Sequence, residues 1–492
     1  MTDICISQSN QIELVHTDKL TNSILFPGAA KTVGNVHFKT TALDMFCDSA
    51  FYHQTENWLR AYGRVQINQG DTLNLFSDSL YFDGNTNIGV LQSNVRIRDN
   101  LYKMTTDSLK FNATKSIAYY TNWATIKSSQ QNIVLKSIIG SYNSLTKTFL
   151  FKDSVTLNHP DYNVKSDTLE FNSLTEQVFI HGPSIIKLDT STTIYCKKGV
   201  YDTKTDEISI WNHAIIENKN QIIEGDSLFF NQKTDFAEGF KDISIIDTIN
   251  QLTLKSNYLL KEKDDLTLID HAQIIKYGSE DTLVLQADTI FQSKSAGLKS
   301  TENIAYSNVI IEKGEIIGVC DSMYFNENDS IIKMLELPIL WRENTEIKAD
   351  SILITLFDDQ IEALNLYQNA FISMSHDSIH FDQLSGKFIK AYIDSGKIKK
   401  INIIDNAETL YFVSETTKDS VTGEDVKTLK GANYMISSEI FIRFKNSEIH
   451  KISVIDDTDG NFDSIKKNKF ESLYLKKFKW EIIRRPDSLL IK

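Results

Sequence analysis

Apolar and polar residues alternate in short runs along almost the whole chain, most often as Leu-x-Phe or Val-x-Ile. A two-residue period is typical of β-strands that bury one face. No stretch keeps the 3.6-residue apolar period of a helix over ten residues. Turns rich in Asn, Asp, Gly and Ser separate the strands, as at Asp83-Gly84-Asn85-Thr86. The pattern predicts an all-β chain, and its tight turns favour antiparallel pairing over the rungs of a parallel β-helix.

The same unit recurs about every 30 residues. The segment 77–83, Ser-Asp-Ser-Leu-Tyr-Phe-Asp, returns in closely similar form at 106–112, 166–172, 225–231, 320–326 and 376–382. When twelve units are aligned, the second position of this segment forms a column, here called the aspartate column, and nine of its twelve positions are Asp. A Val-x-Ile segment follows each aspartate after about 17 residues. Repeats of this length are typical of stacked architectures in which each unit contacts only its neighbours. We therefore expect an elongated stack of units with two strands each.

Apolar side chains at the repeated positions share one face of the predicted strands. They are Leu80, Phe82, Val95, Ile97, Leu109, Phe111, Val155, Leu157, Leu169, Phe171, Leu228 and Phe230. One interpretation is a sealed hydrophobic core. The other is an apolar groove along the repeats, open enough to hold acyl chains. Both need the same residues facing inward, so the sequence leaves the two interpretations open.

The aspartate column is interpreted as structural. A calcium ladder is the alternative, but calcium needs several oxygens within one short loop, whereas the column supplies one carboxylate per unit. We expect the Asp-Ser pair to cap or kink the strand entry through bonds from side chain to backbone. Three of the four cysteines, Cys47, Cys196 and Cys320, precede column positions and are predicted to be small buried residues, because no pair has metal-ligand spacing.

Composition narrows the function classes further. The net charge of −13 argues against binding nucleic acid and against docking on an anionic membrane face. No apolar run approaches the roughly 18 residues of a membrane-spanning helix. The ten histidines are scattered, and the chain has no phosphate-binding glycine loop and no hydrolase or metalloprotease motif. We therefore predict no catalytic residue, no metal site and no cofactor.

Four regions are expected along the chain. Residues 1–10 are interpreted as the remnant of a signal peptide or a disordered N-terminus. The repeat domain is expected to span 11–385, and 386–456 to continue it as divergent repeats with a polar loop near 413–430. The basic segment 457–492 breaks the period and is predicted to be a C-terminal cap or a partner-contact segment.

The tandem Ser-Asp-Ser-Leu-x-Phe-Asp and Asn-Val-x-Ile units resemble the OstA-like proteins of Bacteroidetes-type bacteria, which are related to the LptA-type periplasmic component of lipopolysaccharide transport. The opening segment 11–18 and the segment 478–486 are also similar to that family. The resemblance implies a β-jellyroll, a folded antiparallel sheet whose apolar interior shields the acyl chains of lipid A.

The resemblance also implies a location and partners. It places the chain in the periplasm, provided that an export signal is missing or truncated here. It implies that other lipopolysaccharide-transport proteins dock by pairing with an edge strand at Ile12, Glu13, Leu14 and Val15. Two other functions stay open: a structural or adhesive β-solenoid with a closed core, and a carbohydrate-acting β-helix enzyme, which should carry clustered carboxylates on consecutive rungs.

Overall fold

The computed structural model describes residues 11–70, 73–98, 102–128, 132–188, 191–231, 233–278, 281–294, 301–326, 330–357, 360–394, 397–418, 425–445, 448–464 and 474–489. The chain divides into two compact units, Met1–Thr234 and Asp235–Lys492. The predicted signal-peptide remnant at 1–10 lies outside the described residues.

The first unit contains the following strands: β1 Glu13–His16, β2 Lys19–Asn22, β3 Ala30–Lys39, β4 Asp44–His53, β5 Trp58–Gln69, β6 Leu73–Asp83, β7 Ile88–Arg98, β8 Lys103–Asn112, β9 Ile117–Tyr120, β10 Ala124–Ser128, β11 Ile133–Ser137, β12 Ile139–Asn143, β13 Thr148–Asn158, β14 Tyr162–Asn172, β15 Gln177–Ile180, β16 Ser184–Leu188, β17 Thr192–Cys196, β18 Lys198–Asp202, β19 Glu207–Glu217 and β20 Gln221–Asn231.

The second unit contains these: β21 Phe236–Asp247, β22 Leu252–Glu262, β23 Asp265–Tyr277, β24 Thr282–Lys294, β25 Thr301–Lys313, β26 Ile316–Asn326, β27 Ile331–Leu335, β28 Ile339–Arg342, β29 Thr345–Lys348, β30 Ser351–Phe357, β31 Gln360–Ser375, β32 Phe381–Asp394, β33 Lys397–Lys418, β34 Asp425–Lys445, β35 Glu448–Ile455, β36 Asp459–Ser464 and one 3₁₀ turn, Ile482–Arg484. Neighbouring strands within each unit pair antiparallel, as in β6–β7, β13–β14, β24–β25 and β33–β34. The all-β, antiparallel prediction is confirmed.

Most long strands bend at a corner near the middle. In β7 the corner consists of Ser93 and Asn94, two successive residues with φ of 62° and 54°. The pairing of β7 with both β6 and β8 breaks there, between Gln92 and Val95. Such corners recur at Asp153–Ser154, Asn212–His213, Lys241–Asp242, Asp270–His271, Ser307–Asn308, Gln368–Asn369 and Asp405–Asn406. Each corner turns the strand, so one strand contributes to two half-sheets.

The aspartate column supports these corners. The Asp78 carboxylate accepts a hydrogen bond of 2.6 Å from the Asn94 side-chain amide in the neighbouring strand. The same support links Asp18 with Asn35, Asp48 with Arg64, Asp288 with Asn308 and Asp350 with Asn369. At these five aspartates the expected bonds from side chain to backbone do not form, because the carboxylates bond side chains at the corners instead.

In several units the residue before the column position bonds the backbone instead. Ser77 Oγ donates to the carbonyl of Ser79 at 2.8 Å, and Ser166 Oγ donates to that of Thr168 at 3.2 Å. Only small residues fit at the position before the aspartate, because this position is buried. Cys47 and Cys196 occupy it as buried free thiols, and burial raises their pKa values to about 12 and about 11.

In the second unit, a row of directly paired residues crosses the strand face opposite the Val-x-Ile column. The row consists of Val284, Glu312, Ile317, Trp341, Glu346, Ser373, Gln383 and Leu410 on successive strands. Every one of these side chains is buried, including the two glutamates. The face opposite the inward column is normally exposed to solvent, so another part of the chain must cover it.

Residues 474–489, named here the C-terminal strap, provide that cover. The backbone N–H groups of Leu475, Glu481 and Leu489 donate to Gln383, Glu346 and Glu312 at 2.8, 2.8 and 2.6 Å. The Leu475 side chain is buried against Phe371, Leu410, Phe412 and Ala432. Because a buried carboxylate without a partner is costly, the strap and the two glutamates stabilise each other.

Two local predictions were wrong. The polar loop expected near 413–430 is largely strand, because β33 and β34 pair as far as Lys418 and Asp425. Its polar composition reflects the exposure of these strand ends rather than a loop. The motif copy at 376–382 does not lie in mid-strand like the other copies but forms the turn between β31 and β32. In this turn the Asp377 carboxylate accepts the backbone N–H groups of Ile379 and His380.

The corner chemistry is testable at Asn94. Alanine removes the bond to Asp78 and places a Cβ residue without a polar side chain at positive φ, so we expect Asn94→Ala to lower the free energy of unfolding by about 2 kcal/mol. Glycine removes only the bond, so Asn94→Gly should cost about 1 kcal/mol. Urea unfolding measures both, with Gln92→Ala as a control. Equal losses for alanine and glycine would show that the left-handed backbone is not the constraint.

Candidate functional site

The predicted inward-facing residues all lie in the first unit, and eleven of the twelve are buried. The list is Leu80, Phe82, Val95, Ile97, Leu109, Phe111, Val155, Leu157, Leu169, Phe171 and Leu228, each at most 9% exposed. Phe230, near the end of this unit, is half-buried. The predicted columns therefore face inward, although burial alone does not distinguish a core from a groove.

Part of this interior is sealed. The rings of Phe82 and Phe111 stack with centroids 6.0 Å apart. The Phe111 ring occupies the space next to Gly89, where an added Cβ would lie 2.2 Å from a ring carbon. Any side chain larger than hydrogen at position 89 would displace the ring. Phe82 and Leu91 are 0% exposed and Phe111 is 4% exposed, so this section forms a closed core.

Further along the same unit the interior opens into a cavity of about 550 Å³. Its apolar wall consists of strand residues, among them Ile126, Leu135, Phe149, Phe151, Leu157 and Phe171. Of the predicted groove residues, Leu157 and Phe171 line this cavity, whereas the other ten are not part of its wall. The volume falls within the range typical of pockets for small apolar ligands.

Sequence reasoning missed several wall residues, including Tyr102, Phe149 and Phe151. Phe149 and Phe151 lie on β13, on the stretch of strand that precedes the corner at Asp153, whereas the predictions used only the Val-x-Ile stretch that follows it. The register would have revealed them, since Phe149 pairs directly with Phe171. Tyr102 precedes β8 and contacts Phe149 edge-on at 5.4 Å, a contact that no local pattern indicates.

Polar groups surround the cavity where the strands end. They are His159, Asp161, Tyr162, Glu176, Tyr201 and Asp206, contributed by the loop between β13 and β14, the ends of β14 and β18, and the turns that follow these strands. We call these six residues the mouth. The ring of Tyr162 contacts that of Tyr201 edge-on at 5.9 Å, and His159 stacks on Tyr162 at 4.5 Å.

The mouth carries a negative field. Burial and the nearby Asp161 carboxylate raise the pKa of Tyr162 to about 12. The pKa of Tyr201 is raised by burial and then by Asp206, whose carboxylate accepts its hydroxyl at 3.1 Å. Both phenols therefore remain protonated at neutral pH and can act as hydrogen-bond donors.

The predicted edge strand also lies in this unit. Ile12 is buried, its N–H donates to Asn57 Oδ1 at 2.9 Å, and its carbonyl accepts the Tyr52 hydroxyl at 2.5 Å. Glu13 and Leu14 pair with β3, whereas Val15 stands in a register shift and is 54% exposed. No strand within the described residues pairs with the other edge of β1.

The described residues form neither a metal-binding cluster nor a membrane-spanning helix. No group of three or more His, Cys, Asp or Glu side chains there could hold a metal ion. In the same residues, no helix is long and apolar enough to cross a membrane.

Residues 9–167 match the family model described as OstA-like protein. This segment is OstA-like. The matched residues include the edge strand, the sealed core and the part of the cavity wall from Tyr102 to Tyr162, whereas Phe171, Tyr201 and Asp206 lie beyond the match. A search of curated proteins found no match. The resemblance drawn from the tandem motifs is therefore confirmed for this part of the chain.

The raised tyrosine pKa values predict alkaline sensitivity. Folded Tyr162 keeps its proton up to about pH 12, whereas the unfolded chain loses it near pH 10. The folded state thus binds more protons in that window, and the free energy of unfolding of this unit should fall as pH rises from 10 to about 12. Phenolate absorbance followed through unfolding measures the effect. Tyr162→Phe should reduce the slope, and Tyr119→Phe, which removes an exposed phenol, should not.

Proposed function

We propose that this protein is a non-catalytic lipid-binding bridge, which shields the acyl chains of lipopolysaccharide in an apolar groove during transport to the outer membrane. The proposal places it in the cell envelope and requires no cofactor. The observation that supports it is the cavity of about 550 Å³ in the first unit, whose wall lies partly in the OstA-like segment 9–167.

The energetics of such a site favour a passive carrier. Each buried acyl CH₂ contributes about 0.8 kcal/mol, whichever part of the chain it belongs to. A wall of Leu157, Phe171 and neighbouring aromatic rings can thus hold an alkyl chain without a fixed position. A ligand held in this way moves along the wall at little cost, and direction has to come from another component of the pathway.

The sealed section supports a second role for part of the unit. With Phe82 and Phe111 packed against Gly89, it behaves as the closed-core solenoid that the sequence left open. We assign it the task of holding the edge strand and the cavity in one continuous sheet. A purely structural or adhesive protein would need no cavity at all, so we favour lipid binding for the whole chain.

Docking of partners is assigned to β1. Its outer edge has no paired strand among the described residues, and Tyr52 and Asn57 fix its inner end through Ile12. An extended segment of another lipopolysaccharide-transport protein could add to this edge by β-augmentation, using main-chain bonds for affinity. Glu13, Leu14 and Val15 would then form the contact.

Photo-crosslinking tests the lipid proposal. A benzoylphenylalanine at Phe171, on the cavity wall, should yield an adduct with lipopolysaccharide. The same probe at Phe179 serves as a matched control. Val178 pairs with Phe171 and shares its face, and Phe179 is the next residue along that strand, so its side chain lies on the opposite face. A probe at Phe82, in the sealed core, should also give no adduct. Equal adducts at Phe171 and Phe179, or none at Phe171 in a folded protein, would contradict the proposal.

A proline at Val15 tests the docking proposal. Val15 has no partner in β3, so Val15→Pro should leave the pairs of β1 with β3 in place while removing one main-chain donor from the outer edge. A photo-crosslinker at Glu13 should capture another lipopolysaccharide-transport protein in cells, and Val15→Pro should abolish that adduct. A crosslinker at exposed Lys110 controls for non-specific capture. Adducts that persist in the proline variant would exclude edge pairing.

A further inference from the structure

We propose that the first unit binds the surface of an anionic lipid bilayer through the outer side of its sheet. This inference goes beyond the proposed function, because it concerns side chains that point away from the cavity. The surface that carries it, named here the basic face, consists of seven exposed side chains on six strands between β7 and β16: Arg96, Arg98, Lys103, Lys127, Lys136, Lys165 and Lys187.

Cross-strand pairing places the basic face in two neighbouring rows. One row runs from Arg96 on β7 to Ile185 on β16, and the other runs from Arg98 to Lys187 on the same two strands. Seven of the fourteen positions in these rows are Lys or Arg, and the others are Thr, Asn, Val or Ile. Neither row contains a carboxylate. Because paired strands lie about 4.8 Å apart, the rows extend about 29 Å across the sheet.

The arrangement of these charges destabilises the sheet. Lys103 pairs directly with Arg98 on one side and with Lys127 on the other, and like charges directly opposite each other repel. The guanidinium groups of Arg96 and Arg98 both lie over the ring of Phe76, 5.8 and 5.7 Å from its centroid. None of the seven basic side chains forms an ion pair with another described residue. Anions outside the chain can supply the compensation that these residues lack.

The corresponding face of the second unit is covered by the chain itself. Lys103 stands four residues before the column position Asp107, just as Ile317 stands four residues before Asp321. Ile317 belongs to the buried row under the C-terminal strap. No described segment covers the basic face, whose seven charged side chains are all exposed. This face of the first unit is therefore accessible to an external partner.

The net charge of −13 argues against an anionic partner only if the charge is evenly distributed, and it is not. The first unit contains 21 Lys and Arg against 23 Asp and Glu, whereas the second contains 31 against 42. Because charges are screened over about 8 Å at physiological ionic strength, the local charge of a face decides what it attracts.

The described carboxylates on the same strands and their loops are fewer than the basic residues. Asp107 and Asp167 belong to the aspartate column, and Asp153 lies at a corner. Asp161 lies in the loop between β13 and β14, where its carboxylate contacts His159 Nδ1 at 3.6 Å. Lys103 is four residues from Asp107, about 13 Å along the strand, which exceeds the screening length. The basic face therefore keeps a positive local field.

Two features favour a bilayer over other anionic partners. The charges are spread along two rows and do not converge on a pocket for a compact anion, and they have one sign, whereas protein interfaces use both signs to fix register. Apolar side chains are also exposed on this side of the sheet: Trp123 at 58%, Ile185 at 38% and its pairing partner Tyr195 at 37%. Lys and Arg together with Trp and Tyr are typical of surfaces that contact lipid head groups.

Vesicle flotation with the full chain tests the proposal. The probes are vesicles of phosphatidylglycerol and phosphatidylcholine in equal parts, and vesicles of phosphatidylcholine alone. We expect at least about tenfold tighter binding to the anionic vesicles, a difference of about 1.4 kcal/mol. The difference should shrink as salt is added, because salt screens exposed charges. Neutral vesicles offer the cavity the same acyl chains and thus control for lipid uptake.

A triple variant tests whether the basic face causes the binding. Lys103→Gln, Lys127→Gln and Lys187→Gln in one chain should weaken binding to the anionic vesicles about tenfold or more, because each Lys near an anionic surface contributes to the attraction. Glutamine relieves the repulsion between paired lysines, so the variant should resist urea at least as well as the unchanged chain.

The matched control removes the same charge from exposed lysines of the first unit that lie on the other side of the corners. It combines Lys110→Gln, Lys152→Gln and Lys198→Gln. Both triple variants have the same net charge, so a difference between them reports the position of the charges. The control should bind the anionic vesicles as tightly as the unchanged chain.

Three outcomes would overturn the proposal. The first is equal binding to anionic and neutral vesicles, and the second is equal binding of the two triple variants. The third is a salt-sensitive self-association that the variant of the basic face loses in a chain that binds no vesicles, which would identify the face as a protein interface. None of these results affects crosslinking at Phe171, so failure here is distinguishable from failure of the proposed function.

Discussion

The fold depends on one backbone constraint, which is repeated along both units. Two successive residues of a strand adopt positive φ, and a side chain on the neighbouring strand holds them there, as Asp78 holds Asn94. A non-glycine residue in this region costs about 1–2 kcal/mol, which a bond to a charged acceptor can offset. Without these corners each strand would run straight, and the sheet could not place two apolar half-faces opposite each other.

The cavity and the sealed core are two results of the same corner geometry. In both sections the repeats bring inward-facing side chains from two half-sheets together. Where Gly89 pairs with Phe111 on the neighbouring strand, the ring fills the space above the glycine. Where Phe149 and Phe171 face each other across a strand pair, the rings stack along the wall with centroids 6.4 Å apart, and an open volume remains. The presence of a cavity thus depends on side-chain size at a few positions within a repeated backbone.

The sequence was sufficient to predict strands, antiparallel pairing and the inward columns, because these follow from a local two-residue period and its repetition. It was insufficient for the corner bonds, since the pairing of Asp78 with Asn94 depends on register across strands. It also mispredicted 376–382, where the motif letters recur but the neighbouring strands place them in a turn. The cavity was only half predicted: Leu157 and Phe171 belong to repeated columns, whereas Tyr102 and the mouth come from loops and strand ends that no period marks. The domain boundaries drawn at 10, 385 and 456 stay predictions.

The C-terminal strap has a consequence for biosynthesis. The row from Val284 to Leu410 belongs to strands that are synthesised before residues 474–489. Until then the buried glutamates Glu312 and Glu346 lack the backbone donors of the strap, and Trp341 and its neighbours in the row stay open to water. A chain whose strap has not yet docked thus exposes an apolar stripe with two carboxylates that chaperones and proteases can recognise, and docking of the strap covers it.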